Sequence, residues 1–288
     1  MDSRSLKKHL DSLYKKFDIK FLSPDPLELV HKFSSPEDKE VTGLIASSLA
    51  YGRVEKILSS VETIFSIMDN RPYAFTKKFD PKKDKKKFKK FVHRFNIGED
   101  VACLIYMMKQ TLDAHGSLGD FFKKGYNRKD ENIAPALSKF VKGMLALDCS
   151  PFYKGSNLPE DAGVRYFLPS PEKGSACKRL NLYLRWMVRK GDKLDFGLWK
   201  GIPPSKLIIP LDTHIAKISR NLGLTKSKNP GWKMAIEITA SLKKLDPKDP
   251  VKYDFPLSRL GIMNLCTGKK DTEKCGKCGL FPICSPSI

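Results

Sequence analysis

The tail of this chain holds four cysteines, Cys266, Cys275, Cys278 and Cys284, in the pattern C-x8-C-x2-C-x5-C. A C-x2-C pair places two sulfurs on one tight turn, and the outer two cysteines can close the same centre from either side. Whatever the rest of the chain forms, its end has to wrap around a shared site. Disulfides and inert thiols compete with a metal centre. Three further cysteines are scattered at 103, 149 and 177, Met1 opens no secretory leader, and no apolar run is long enough to span a membrane. These features point to a reducing, cytoplasmic setting, where clustered cysteines are more often metal ligands than bridges. Zinc ribbons usually pair two C-x2-C knuckles and this chain has one. The asymmetry favours a 4Fe–4S cluster, with zinc as the alternative. The turn Leu280-Phe281-Pro282-Ile283 before Cys284 could shield such a cluster.

Charge narrows the partner. Lys and Arg number 53 against 32 Asp and Glu, a formal net charge of +21 over 288 residues. So large a surplus concentrates polyanions near the surface and points to nucleic acid; no lipidation signal or amphipathic anchor supports a membrane. Residues 77–90 alone contain nine lysines. The run reads either as a solvated loop and helix face or as a phosphate-contacting arm, which would add affinity without sequence choice.

Apolar spacing predicts helices nearly throughout. Ser35-Pro36 with Asp38 is an N-cap followed by a proline at the first helical position, and Val54, Ile57, Leu58, Val61, Ile64, Phe65 and Met68 form one helical stripe. Similar stripes occur at Phe88–Phe95, Val101–Leu112 and Ile133–Met144, and no segment alternates as a strand.

Two segments carry candidate chemistry. Pro171-Glu-Lys-Gly174-Ser-Ala-Cys-Lys178 reads as a turn leading into a helix that runs to about Lys190, with Lys178 at its N-terminal end. A cation there faces the positive pole of the macrodipole, a field that favours the uncharged, nucleophilic amine. A solvated lysine tolerating the position is the other reading. Downstream, Pro210-Leu-Asp212-Thr-His214 opens a helix with Ile215, Ile218 and Leu222 on one face and Gly223 as its stop. Asp212 is a natural N-cap by residue type, and His214 is expected to pack or face solvent, since no second histidine lies at ligand spacing.

The run P-L-D-T-H-I-A-K-I, followed by the cysteine tail, resembles the helix-hairpin-helix DNA glycosylases of the endonuclease III and MutY kind. The resemblance is carried by residues 205–284 and extends to 36–68; within that superfamily the chain looks closest to a bacterial and archaeal group whose substrate membership alone does not settle. It implies an all-α, two-lobed fold: residues 1–34 with 205–288 as an iron–sulfur lobe, 35–204 as a helical barrel with an inserted region at about 75–169, and an active site between the lobes. It also implies that Asp212 is the catalytic carboxylate, Lys178 the Schiff-base lysine, and Cys266, Cys275, Cys278 and Cys284 the ligands of a 4Fe–4S cluster. Lys173, Gly174, Ser175 and Arg179, with Lys269, Lys270, Lys274 and Lys277 on the cluster loop, would contact DNA. The hairpin of the family carries two glycines where this chain keeps Gly174. The 33 residues between Lys178 and Asp212, including Asp195-Phe-Gly-Leu-Trp199 as an inserted turn, resemble the longer arrangement of archaeal 8-oxoguanine glycosylases.

The expected function is thus base excision from damaged duplex DNA by a monomer, with cleavage at the abasic site if Lys178 is the nucleophile. A catalytically silent iron–sulfur or zinc protein that holds nucleic acid is the alternative. Tyr51, Arg53 and His93-Arg94-Phe95 are further candidates for DNA or pocket contacts, with helix packing as the competing explanation.

Overall fold

In the computed structural model, which describes residues 2–155 and 158–285, regular structure is almost entirely helical. Among the described residues there are fourteen α-helices and one short β-hairpin, so the all-α expectation holds, and no helix is long and apolar enough to cross a membrane. Helix α1 (Ser3–Lys16) opens the chain. The Asp2 side chain accepts the Arg4 and Ser5 N–H groups, and Leu6, Leu10 and Leu13 form its buried stripe.

Contacts divide the chain into two compact units, Ser23–Lys173 and a second that joins the chain up to Leu22 to everything from Gly174 onward. The lobe boundaries expected at 34/35 and 204/205 therefore fall elsewhere, and residues 174–204 group with the C-terminal segment.

In the first unit, α2 (Pro26–Val30), α3 (Pro36–Ser48) and α4 (Val54–Ile67) follow the sequence pattern, with the Ser35 hydroxyl accepting the Asp38 N–H. Helices α5 (Pro72–Lys78) and α6 (Pro81–Asp84) then lead to strands β1 (Val92–His93) and β2 (Asn96–Ile97), and α7 (Gly98–His115), α8 (Leu118–Gly125) and α9 (Ala134–Leu145) complete it. Glu40 of α3 is buried, and its carboxylate accepts the Leu118 and Gly119 N–H groups at 2.9 and 2.8 Å. A carboxylate at the positive end of α8 both caps that helix and ties α3 to it. Phe88, Met107, Met108, Phe122 and Phe140 are all buried, so residues 75–169 supply much of the interior of this unit.

The stripe at Phe88–Phe95 does not form a helix. A single 3-10 turn ends at Phe88 and an antiparallel hairpin follows, pairing Val92 with Ile97 and His93 with Asn96. Its burial is inverted: polar His93 and Asn96 face in, while Val92, Phe95 and Ile97 are 62, 58 and 50% exposed. Hydrophobic periodicity reads such a segment wrongly because it assumes that apolar residues turn inward. In the lysine run, Phe79 and Phe88 anchor the chain in the core. Lys77 pairs with Asp113, Lys87 with Asp84, and Lys85 donates to the Pro151 carbonyl, while Lys82, Lys86, Lys89 and Lys90 are exposed.

The second unit adds α10 (Lys178–Val188), α11 (Thr213–Asn221), α12 (Trp232–Leu245), α13 (Asp254–Ile262) and α14 (Thr272–Gly276) to α1. Helices α11 and α13 pack together, and a side chain at Gly261 of α13 would overlap the His214 ring, so the close crossing depends on that glycine. His214 is thus a packed residue, as its lack of a histidine partner predicts. Arg259, fully buried, stacks on Phe255 and donates to the Phe21 and Leu22 carbonyls at 3.3 Å, which holds the N-terminal segment against α13.

Candidate functional site

Lys178 is the first residue of α10, as predicted, and is half-buried. The turn before it is shaped by two left-handed residues, Gly174 at φ 73° and Cys177 at φ 48°. Gly174 adopts that conformation at no steric cost, whereas Cys177, at the N-cap of α10, is one of the few non-glycine residues placed there. The Gly174 carbonyl accepts the Trp232 N–H at 3.0 Å, tying the turn to the start of α12. The segment with one glycine therefore still forms a turn delivering Lys178 to a helix N-terminus. Ser175 is half-buried and Gly174 exposed, whereas Arg179 is only 8% exposed. Lys173, the last residue of the other unit, is exposed.

Asp212 caps α11: its Oδ1 accepts the Ile215 N–H at 2.8 Å. Both Lys178 and Asp212 lie in the same compact unit. Their helices are linked through charge. Arg185, two turns along α10 from Lys178, pairs with Asp254 at the start of α13, and Asp254 lies within the field of Asp212. Burial pushes the Asp254 carboxyl up to about 7, against the pull of Arg185, and the Asp212 charge adds to the rise. Arg185 also pairs with Asp195 at 3.3 Å, and Arg189 with Asp195, Asp249 and Asp192 at 2.9, 2.7 and 2.5 Å. The Tyr14 hydroxyl, from α1, donates to Asp192 at 3.0 Å.

This buried ion network escaped the sequence reading, which took Asp195-Phe-Gly-Leu-Trp199 for an inserted turn. That segment folds back on α10, with the Phe196 and Trp199 N–H groups donating to the Trp186 and Met187 carbonyls at 2.8 Å and Trp199 edge-on to Tyr183. One signal was present: Arg185 and Arg189 flank the apolar run Trp186-Met-Val188, and guanidinium groups on a core face need buried carboxylates.

The four tail cysteines line one recess, together with Leu265 and Phe281. All four are half-buried. Burial raises the Cys266 thiol, with Cys278 and Cys275 adding to the rise, and pushes Cys284 up to about 11. Hydrogen bonds to sulfur are already in place: the Asp271 N–H lies 3.5 Å from the Cys275 sulfur, and a Gly268 backbone bond lowers the Cys266 thiol. Of the turn before Cys284, Leu280 and Ile283 are buried, whereas Phe281, which lines the recess, is 47% exposed. Among the described residues, no three His, Cys, Asp or Glu side chains close on a point as they would around one ion. The donor set and shared lining fit a four-thiolate group, with Cys266, Cys275, Cys278 and Cys284 as its holders.

Helix α11 joins the two sites. Asp212 caps its first turn; at its other end Asn221 donates from Nδ2 to the Gly268 carbonyl at 3.0 Å and accepts the Ser285 N–H at 2.9 Å. The cysteine loop thus anchors the helix that Asp212 begins, about 13 Å away at the helical rise. Around the loop, Lys269 and Lys270 are exposed, Lys274 donates to Asn264, and Lys277 pairs with Glu273 at 2.9 Å. Of the other sequence candidates, Arg53, Arg94 and Phe95 are exposed. His93 is buried, with Nδ1 2.8 Å from the Ser60 hydroxyl and Nε2 3.0 Å from the Tyr51 carbonyl, and so serves packing.

Residues 25–263 match the family described as a protein of unknown function, DUF2400, and the chain belongs to it. No curated protein and no solved structure matches the chain.

Proposed function

We propose that this DUF2400 chain is a DNA base-excision glycosylase with abasic-site lyase activity. The observation that carries the reading is the arrangement around α11, which puts the D-T-H carboxylate at one end and the four-cysteine recess at the other. Lys178 begins the helix whose Arg185 reaches the neighbour of that carboxylate.

In this reading a damaged nucleotide leaves the stack and its sugar enters near Lys178 and Asp212. The Lys178 amine attacks C1′ as the glycosidic bond breaks, and the bonding electron pair leaves with the base. Asp212 stabilises the positive charge that develops at the sugar. Opening of the sugar ring at C1′ leaves an iminium joined to Lys178; loss of a C2′ proton then expels the 3′ phosphate. Arg185 and Asp254 act as positioning residues. When bound, an iron–sulfur cluster would offset the mutual repulsion of the four thiolates and stiffen the basic loop. Lys269 and Lys270, exposed on it, would meet phosphates.

Base release from a panel of duplexes carrying oxidised, deaminated and alkylated bases tests the glycosylase reading. Release from at least one lesion is expected, reduced at least a hundredfold (about 2.7 kcal/mol of barrier) in Asp212→Asn. No release from any lesion would leave the silent nucleic-acid binder.

A further inference from the structure

The hairpin of the first unit shows an apolar surface built outward rather than hidden. Its two-residue turn is Arg94-Phe95, with Arg94 left-handed at φ 57°. Phe95 stacks on Tyr51 with centroids 5.4 Å apart and planes 26° from parallel, and Tyr166 meets it edge-on at 4.4 Å. Phe95 nevertheless remains 58% exposed and Tyr166 39% exposed.

The support beneath is rigid. The Tyr51 hydroxyl donates to the Asn96 side-chain oxygen at 2.6 Å, and the Asn96 amide donates to Asp100 at 2.9 Å and to the Gly163 carbonyl at 3.0 Å. A buried polar network fixes the rings that stand above it. Such an aromatic group held open costs apolar exposure that a core position would avoid.

The charge around it selects the occupant. Arg94 lies over Gly52, next in sequence to exposed Arg53, and exposed Lys89 and Lys90 come just before Phe91 and the strand that leads into the turn. Flat aromatic faces on a segment rich in cations fit a polyanion that offers flat apolar faces, which is a single-stranded nucleic acid; in a duplex those faces are stacked on one another.

We propose that the Arg94-Phe95 turn, with Tyr51 and Tyr166, is a stacking site for an unpaired nucleobase of a single-stranded polynucleotide. The site uses residues of the first unit only and needs no base excision, so its test is independent of the proposed chemistry.

The experiment is fluorescence anisotropy of a fluorescein-labelled oligothymidine with the full-length protein at low salt. Loss of one base–ring stack predicts affinity about five- to a hundredfold weaker in Phe95→Ala and in Phe95→Leu. Phe95→Trp should bind as wild type, with its added tryptophan emission quenched. Thermal unfolding of each variant checks that the hairpin remains folded. Unchanged affinity in Phe95→Ala, or full affinity in Phe95→Leu, overturns the proposal. So does self-association that Phe95→Ala abolishes while oligonucleotide binding stays intact, which would assign the patch to a second copy of the chain.

Discussion

Asp212 has one observed job, the cap, and one proposed job, catalysis, and substitution can separate them. As an N-cap it satisfies the Ile215 N–H, and asparagine caps nearly as well while lacking the charge. Asp212→Asn should therefore keep thermal stability close to wild type while losing catalysis, whereas Asp212→Ala should also lose about 1 kcal/mol of stability. Equal loss of stability in both would mean that the charge, and not the cap, holds the helix. Arg189 offers a second check. Its side chain is 3% exposed among Asp192, Asp195 and Asp249, so Arg189→Met leaves buried carboxylates unpaired and should cost about 3–5 kcal/mol in denaturant unfolding. Asp254 adds a pH dependence. Burial lifts its carboxyl from the ordinary 3.8 to about 7, so within that window the folded protein holds a proton that the unfolded chain has released. Its contribution to stability is then full at the acid end and declines as pH rises toward 7. Melting temperatures of wild type and Asp254→Asn, compared across the window, should shift in favour of the variant as pH rises. At this scale the helix-start positions of Lys178 and Asp212 and the shared lining of the cysteines were legible because each lies in a local pattern, while the roles expected of Lys178 and Asp212 came from the family resemblance. Arg185, Asp195 and Asp254 were not legible, because their partners are distant in the chain.

Helix α11 runs from the Asp212 cap to Asn221, which bonds the cysteine loop, so the proposal gives the loop a mechanical role. Cys278→Ser should lower the iron content of anaerobically purified protein and bleach its brown colour. It should also make the Asn221 end of α11 exchange amide protons faster, measured by hydrogen–deuterium exchange, with the first unit unaffected. Colourless wild-type protein carrying one zinc per chain would assign the recess to zinc. Helices α3, α4, α7, α9 and α10 were legible because their apolar residues recur at helical spacing, and α3 also carries a usual cap in Ser35. The hairpin was not, since its apolar residues face outward and its polar ones form the buried support. That inversion is itself what marks it as a surface for binding.

At the scale of the molecule, the +21 charge predicts strongly salt-dependent DNA binding. If about six phosphates are neutralised, affinity for duplex DNA should fall about a thousandfold between 50 and 200 mM salt, and a nearly flat salt titration would contradict an electrostatic footprint. The division into units was the least legible feature. Nothing local in the sequence tells that residues 174–204 belong with the C-terminal segment, because the partners that tie them to it, such as Asp254 for Arg185 and Asp249 for Arg189, lie 69 and 60 residues further on. The measurement that tests the account most directly is borohydride trapping on a duplex containing an abasic site. Wild-type protein should form a covalent protein–DNA adduct and Lys178→Ala should form none while still binding the duplex. An adduct of equal yield from Lys178→Ala, or none from wild type under conditions where it binds, would contradict Lys178 as the nucleophile.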